Sequence, residues 1–228
     1  MRNTVLAPLV LAPTLLAAAD PGARRFAASG FDAVTLSSGD RVVVTAGAAA
    51  SVVATGDPAA VAALRIETRE NTLHIGRLPG SWRDRGATVT VTLPRLKAVT
   101  LDGSGSIRAT GPTGPRFAAE ENGSGDIVVE GLRAAETRLS LAGSGSIAAS
   151  GSAPQLWIEA SGSGAVDATR VAAGDLDVDA SGSSSVRARA SRRATIDASG
   201  SGSVRVEGTT DCRVSKSGSG SVRCQQRS

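Results

Sequence analysis

DASGSGSVRVEG, residues 197–208, decides the fold, because its Gly-Ser-Gly-Ser core reads as a linker, a ligand-holding loop or the corner of a repeat. The motif returns as GSGSI at 103, GSGDI at 123, GSGSI at 143, GSGAV at 162, GSSSV at 182, GSGSV at 200 and GSGSV at 218, at intervals of 18–20 residues. A linker has no reason to keep a period, nor to place Ile or Val four residues after the first Gly in every copy. The motif is therefore a repeated corner. Counted back from Gly103, Gly123, Gly143, Gly162, Gly182, Gly200 and Gly218, the fourth residue is always apolar, from Val99 to Val214. The second and sixth are mostly apolar as well, with Lys97, Glu121, Thr137 and Lys216 as exceptions. After the corner, the fourth and sixth residues run from Ile107 and Ala109 to Val222 and Cys224.

Apolar residues at every second position make a strand with one buried face. Each repeat is thus strand, corner, strand and variable return. One such unit cannot bury its apolar face alone, but stacked units share a core. The expected fold is all-β: a single-stranded parallel β-helix of about seven coils over residues 96–228. Glycine suits the corner because it accepts positive φ. The Ser after the first Gly is expected to stack on its copies every ~4.8 Å and to hydrogen-bond along the edge. Residues 20–95 are β-rich without the motif, with strand-like GFDAVTL, DRVVVTA, SVVAT, RIETRE, NTLHIG and ATVTVTL. Asp57-Pro58 opens a helical turn through Leu64. This portion is expected to form leading coils or a cap over the first solenoid edge.

Residues 1–19 read as a signal peptide. Met1-Arg2-Asn3 gives a basic start, Thr4 to Leu16 is apolar but short for a bilayer span, and Ala17-Ala18-Ala19 fits a cleavage site. No Cys stands at the cut to carry a lipid, and no later apolar run approaches ~20 residues. An exported product, periplasmic or extracellular and without stable membrane insertion, is expected. The chain has 25 basic and 21 acidic residues, too mild an excess to point to nucleic acid. With three Phe, two Trp and no Tyr, the core must come from Val, Ile, Leu and Ala.

GFDAVTL with DRVVVTAG and ASVVATGD, then NTLHIG, TVTLPRLKAVTLDGSGSI and the GSG series, together resemble the head GIN domain family of bacterial exported proteins. The resemblance covers nearly all of the mature chain. It implies a fold similar to pectin-lyase-like β-helices, adhesion rather than an agreed catalytic residue set, and oligomeric assembly.

Candidate chemistry is sparse. The single His, His74, falls outward between Leu73 and Ile75, so no Ser-His-Asp triad is expected. Two Cys and one His do not make a closed zinc set, only Asp126 stands where a calcium-binding β-roll would repeat an Asp, and no phosphate loop occurs. No metal or cofactor is implied. Glu159, Asp179 and Asp197, each three residues before a corner, form an acidic column, read either as a solvated face or as the carboxylates of a polysaccharide-cleaving enzyme. Arg187, Arg205 and Arg223, five residues after their corners, form a basic column, with Arg108 in the first coil and Arg189 beside it. This column is a candidate face for anionic polysaccharide, for lipopolysaccharide phosphates or for the acidic column of another copy. Trp157 falls on an outward position, suited to an interface or to sugar stacking, and Trp82 lies in a loop among Arg77, Arg83 and Arg85. Cys212 and Cys224 stand six residues either side of the last corner, as a disulfide or as two buried thiols. A bridge requires the coil to pinch, because packed sheets lie ~10 Å apart. Three functions remain open: a non-enzymatic adhesion or envelope-binding module, a carbohydrate-active enzyme, and a self-assembling scaffold.

Overall fold

Along the repeat, the apolar alternation becomes an alternation of burial. Ile107, Ile127, Ile147, Val166, Val186 and Val204, each four residues after a corner, are 0–2% exposed. Glu121 and Thr137 break the apolar pattern but not the geometry: both point inward and are buried. The computed structural model describes residues 23–80 and 86–225, so the expected signal peptide and Trp82 lie outside the described residues.

The first part of the chain forms β1 (Ala23–Phe26), β2 (Ala33–Leu36), β3 (Arg41–Ala46), β4 (Ser51–Thr55), α1 (Pro58–Ala62), β5 (Leu64–Arg69), β6 (Thr72–Arg77) and β7 (Thr88–Leu93). The repeat supplies β8 (Ala98–Leu101), β9 (Ser106–Thr110), β10 (Thr113–Glu121), β11 (Asp126–Leu141), β12 (Ser146–Ala160) and β13 (Ala165–Ala180). It ends with β14 (Ser185–Arg189), β15 (Arg193–Ser199), β16 (Ser203–Glu207), β17 (Cys212–Ser217) and β18 (Ser221–Gln225). The result is an all-β solenoid of about six turns, with the core along its axis. Strands leading into corners make one face, in the spatial order β5-β6-β2-β8-β10-β11-β12-β13-β15-β17. Strands leaving corners make the other, β1-β4-β7-β3-β9-β11-β12-β13-β14-β16-β18. The long strands β11, β12 and β13 run through the return and serve both faces.

Corners are held by the backbone. The amides of Ser124, Ser144, Ser163, Ser183 and Ser201 donate to the carbonyl of the first Gly one coil earlier, at 2.8–3.2 Å. The ladder expected of the serine hydroxyls is therefore made by peptide groups. The reason for glycine also differs from the expected one along the stack. Gly162, Gly182, Gly200 and Gly218 have positive φ, but Gly103, Gly123 and Gly143 do not. There the constraint is close approach between coils: a Cβ on Gly103 would stand 2.6 Å from the Ser38 carbonyl oxygen, and one on Gly143 would run into that of Gly123. The fifth corner carries Ser184 at the second glycine position, buried, with its hydroxyl donating to the Ser181 and Ala160 carbonyls at 3.1 and 3.3 Å.

The N-terminal portion does not stack in chain order. The β2–β3 coil sits between β6–β7 and β8–β9, paired in parallel on both sides. Outside it, β5, β4 and β1 pair antiparallel and form the outermost strands at this end, a departure from the all-parallel helix. Asp57 caps the short α1 by accepting from the amides of Ala59 and Ala60. Asp40, in the corner between β2 and β3, is wholly buried; it accepts from Arg77 Nη2 and Nε, at 2.6 and 2.9 Å, and from the Ala87 amide at 2.8 Å. Burial pushes the Asp40 carboxyl up, but Arg77, the Ala87 amide and the Ser38 hydroxyl outweigh it and hold it below its ordinary value.

Candidate binding faces

Residues at odd distances from a corner point outward, so each coil adds one side chain to each of several exposed columns. On the face that leaves the corners, Arg187 on β14 stands beside Arg205 on β16, which stands beside Arg223 on β18. All three are exposed, and none forms an ion pair among the described residues. Steps of ~4.8 Å separate their backbones. Asp167 on β13 is the neighbour at the inner end of the column. Burial raises the Asp167 carboxyl, yet the Thr169 hydroxyl and amide, with Arg170 and Arg187 nearby, hold it below its usual range. Arg187 thus has a partial counter-charge, and Arg205 and Arg223 form no ion pair among the described residues. The column lines a groove of about 500 Å³ with Thr169, Ser203, Ser221 and Glu207 on its sides. Arg108 belongs to a different environment, paired with Glu130 at 2.6 Å, and Arg189 stands beside Glu207 across the ladder.

The face that enters the corners carries the opposite sign. Glu159 on β12, Asp179 on β13 and Asp197 on β15 stand side by side and exposed. Asp177, two residues from Asp179, adds a fourth exposed carboxylate that the column count alone did not single out. Glu159 faces Arg138 at 3.5 Å, whereas Asp177, Asp179 and Asp197 form no ion pair among the described residues. Asp175, two further back, is occupied by Arg192. Trp157 is half-buried on the same face, between Arg138 and Asp177 in the ladder. His74 is exposed on β6, far along the stack, beside Thr35 and Glu67. Among the described residues, no group of three or more His, Cys, Asp or Glu is placed to hold a metal ion, and no helix is long and apolar enough to cross a membrane.

Two features of the core bear on these faces. Glu121 takes the inward position that Leu101 and Leu141 fill in the flanking coils; its Oε1 accepts from the Gly123 and Gly125 amides at 2.8 and 3.2 Å, and its Oε2 is buried with no hydrogen-bond partner among the described residues. In the last described coil, Cys212 and Cys224 are joined with their Cα atoms 6.6 Å apart, so the coil is narrow there. Val214 in this coil is 48% exposed and Lys216, on an inward column, is exposed too.

Residues 30–210 match the family described as "Putative auto-transporter adhesin, head GIN domain". No curated protein matches the chain. Among solved structures, a putative adhesin from Bacteroides fragilis superposes with a TM-score of 0.81 at 17% identity, over 90% of this chain and 96% of that one. A putative lipid binding protein from Parabacteroides distasonis gives 0.68 at 23% identity, over 89% and 95% of the two chains. A putative adhesin from the same organism gives 0.69 at 18%, again over 89% and 95%. At these identities the likeness is one of fold. The family match spans most of the chain, and the chain belongs to the head GIN domain family of auto-transporter adhesin-like proteins.

Proposed function

We propose that the chain is an exported, non-enzymatic adhesion module that holds anionic polymer of a cell envelope against its Arg187, Arg205 and Arg223 column. One observation carries the reading: three arginines in register, without ion pairs among the described residues, lining one groove. Like charges repel, by about 1 kcal/mol at 4 Å even in water, and a chain with a repeating negative charge removes that cost. Guanidinium forks match carboxylate and phosphate geometry in pairs. Serines Ser185, Ser203 and Ser221 run beside the arginines and offer hydroxyls to a sugar.

The enzymatic reading has less support. Glycoside hydrolysis needs two carboxyl groups on either side of the scissile bond. Glu159, Asp179 and Asp197 instead form a single file on an open face. The test is binding of the mature chain, and of its Arg187→Ala/Arg205→Ala/Arg223→Ala variant, to a panel of acidic and neutral polysaccharides, with polymer length measured afterwards. Acidic polymers should bind, lose at least tenfold in affinity in the variant and keep their length. Shortened polymers would make the protein an enzyme, and equal binding by the variant would remove the arginine column from the site.

A further inference from the structure

The acidic and basic columns belong to one solenoid and therefore share one axis and one spacing. Every step along either is the distance between neighbouring parallel strands, ~4.8 Å. An Arg column on one copy can thus meet the acidic column of another charge for charge, with no distortion of either. The columns are one coil out of step: the acids lie on β12, β13 and β15, the arginines on β14, β16 and β18, and β13 leads through its corner into β14. Both are exposed, and in both most members lack an ion pair among the described residues.

We propose that a second copy of this chain docks side by side, its Glu159, Asp179 and Asp197 on the Arg187, Arg205 and Arg223 of the first. The proposal rests on the reading of the arginine column as a contact face, and it makes polymer and second copy competitors for that face. The two surfaces in contact differ, so the association is heterologous and leaves one free face of each sign on every pair. It propagates from copy to copy rather than closing as a two-fold dimer. End-to-end stacking is disfavoured at the last described coil by exposed Lys216 on an inward column, a charge that blunts the edge. The matched columns cover roughly 15 Å by 17 Å, about 250 Å² per partner, well below the ~800 Å² of a stable complex. Association is therefore weak, concentration-dependent and suppressed by salt.

The experiment is sedimentation of the mature chain over a wide concentration range at low and high salt, alongside a Glu159→Gln/Asp179→Asn/Asp197→Asn variant whose fold is checked by circular dichroism. The mean mass should climb with concentration at low salt and return to the monomer at high salt. The variant should associate at least tenfold more weakly, while still binding polygalacturonate as the unaltered chain does. Arg205→Glu should weaken both. Excess polygalacturonate should dissolve the assemblies of the unaltered chain. A monomer at every concentration, or a variant that associates like the parent, overturns the proposal while leaving polymer binding untouched. Loss of polygalacturonate binding in neither arginine variant would instead overturn the adhesion reading.

Discussion

The N-terminal portion and the repeat solve the same problem by different means. In the repeat, coils are held by near neighbours: a backbone bond from each corner to the one before, a column of Ile and Val, and small Ala residues where the chain bends. In the N-terminal portion, coherence comes from long-range partners, with β2 and β3 filling a gap between strands that follow much later and Asp40 reaching Arg77 and Ala87. Periodic sequence produces local, repeated constraints. Aperiodic sequence relies on a few specific ones.

The comparison breaks first at Asp40. Asp40→Ala removes the buried carboxylate that Arg77 and the Ala87 amide share, and breaking a buried pair costs about 3–5 kcal/mol. Urea unfolding should show a loss of that order, with hydrogen exchange rising first in β2, β3 and β7. The sign of the pH effect follows from the depressed carboxyl. Asp40 contributes its stability above its ordinary pKa of 3.8, and that stability drains away as pH falls through the lower folded value. The parent should lose stability in that acidic window more steeply than Asp40→Asn; parallel curves would exclude the pair as the source.

A smaller effect tests the repeat. Gly143→Ala forces a Cβ against the Gly123 carbonyl, and overpacking of this kind costs about 1–3 kcal/mol. Gly76→Ala, on a strand with nothing within 4 Å of the added carbon, serves as the contrast and should be neutral or slightly stabilising. Thermal melts that shift equally for the two variants would contradict the close-approach account of the corners. The smallest expected change has the opposite sign. Glu121→Leu restores the residue type of the flanking coils and removes a buried oxygen with no hydrogen-bond partner among the described residues. Of the two amides it releases, that of Gly125 has a substitute, since the amides of Gly105, Gly202 and Gly220 reach carbonyls of a neighbouring coil, and that of Gly123 is half-buried and within reach of water. A gain of about 1 kcal/mol is expected in denaturant melts, and a loss would mean that the carboxyl organises its corner.

These differences mark what was legible. Alternation and the period fixed which residues of the repeat point inward, and with them the two charged columns, because in and out are local properties of a strand. Inward Glu121 and Thr137 look like exceptions in the sequence, since composition at one position cannot outvote geometry imposed by the coils on either side. The order of the N-terminal coils was hidden for a stronger reason: no local pattern in AVTL at 33–36 records that its neighbours are Thr72–Ile75 and Ala98–Leu101. The role of Asp40 was hidden likewise, because its partners lie 37 and 47 residues away. Asp177 was missed by following one column and not its neighbour.

The placement of β2 and β3 between later strands gives the molecule a beginning that cannot be completed at the beginning. A chain delivered from its N-terminus holds these strands without partners on one side until Leu93 has arrived, and on the other until Thr110. Up to that point the β2–β3 coil is incomplete and offers the repeat no finished layer to stack on. From then on, each further 18–20 residues finds a completed surface to settle on. Assembly has a threshold followed by steady growth, and damage before Thr110 should halt the whole process, whereas damage after it should only shorten the product.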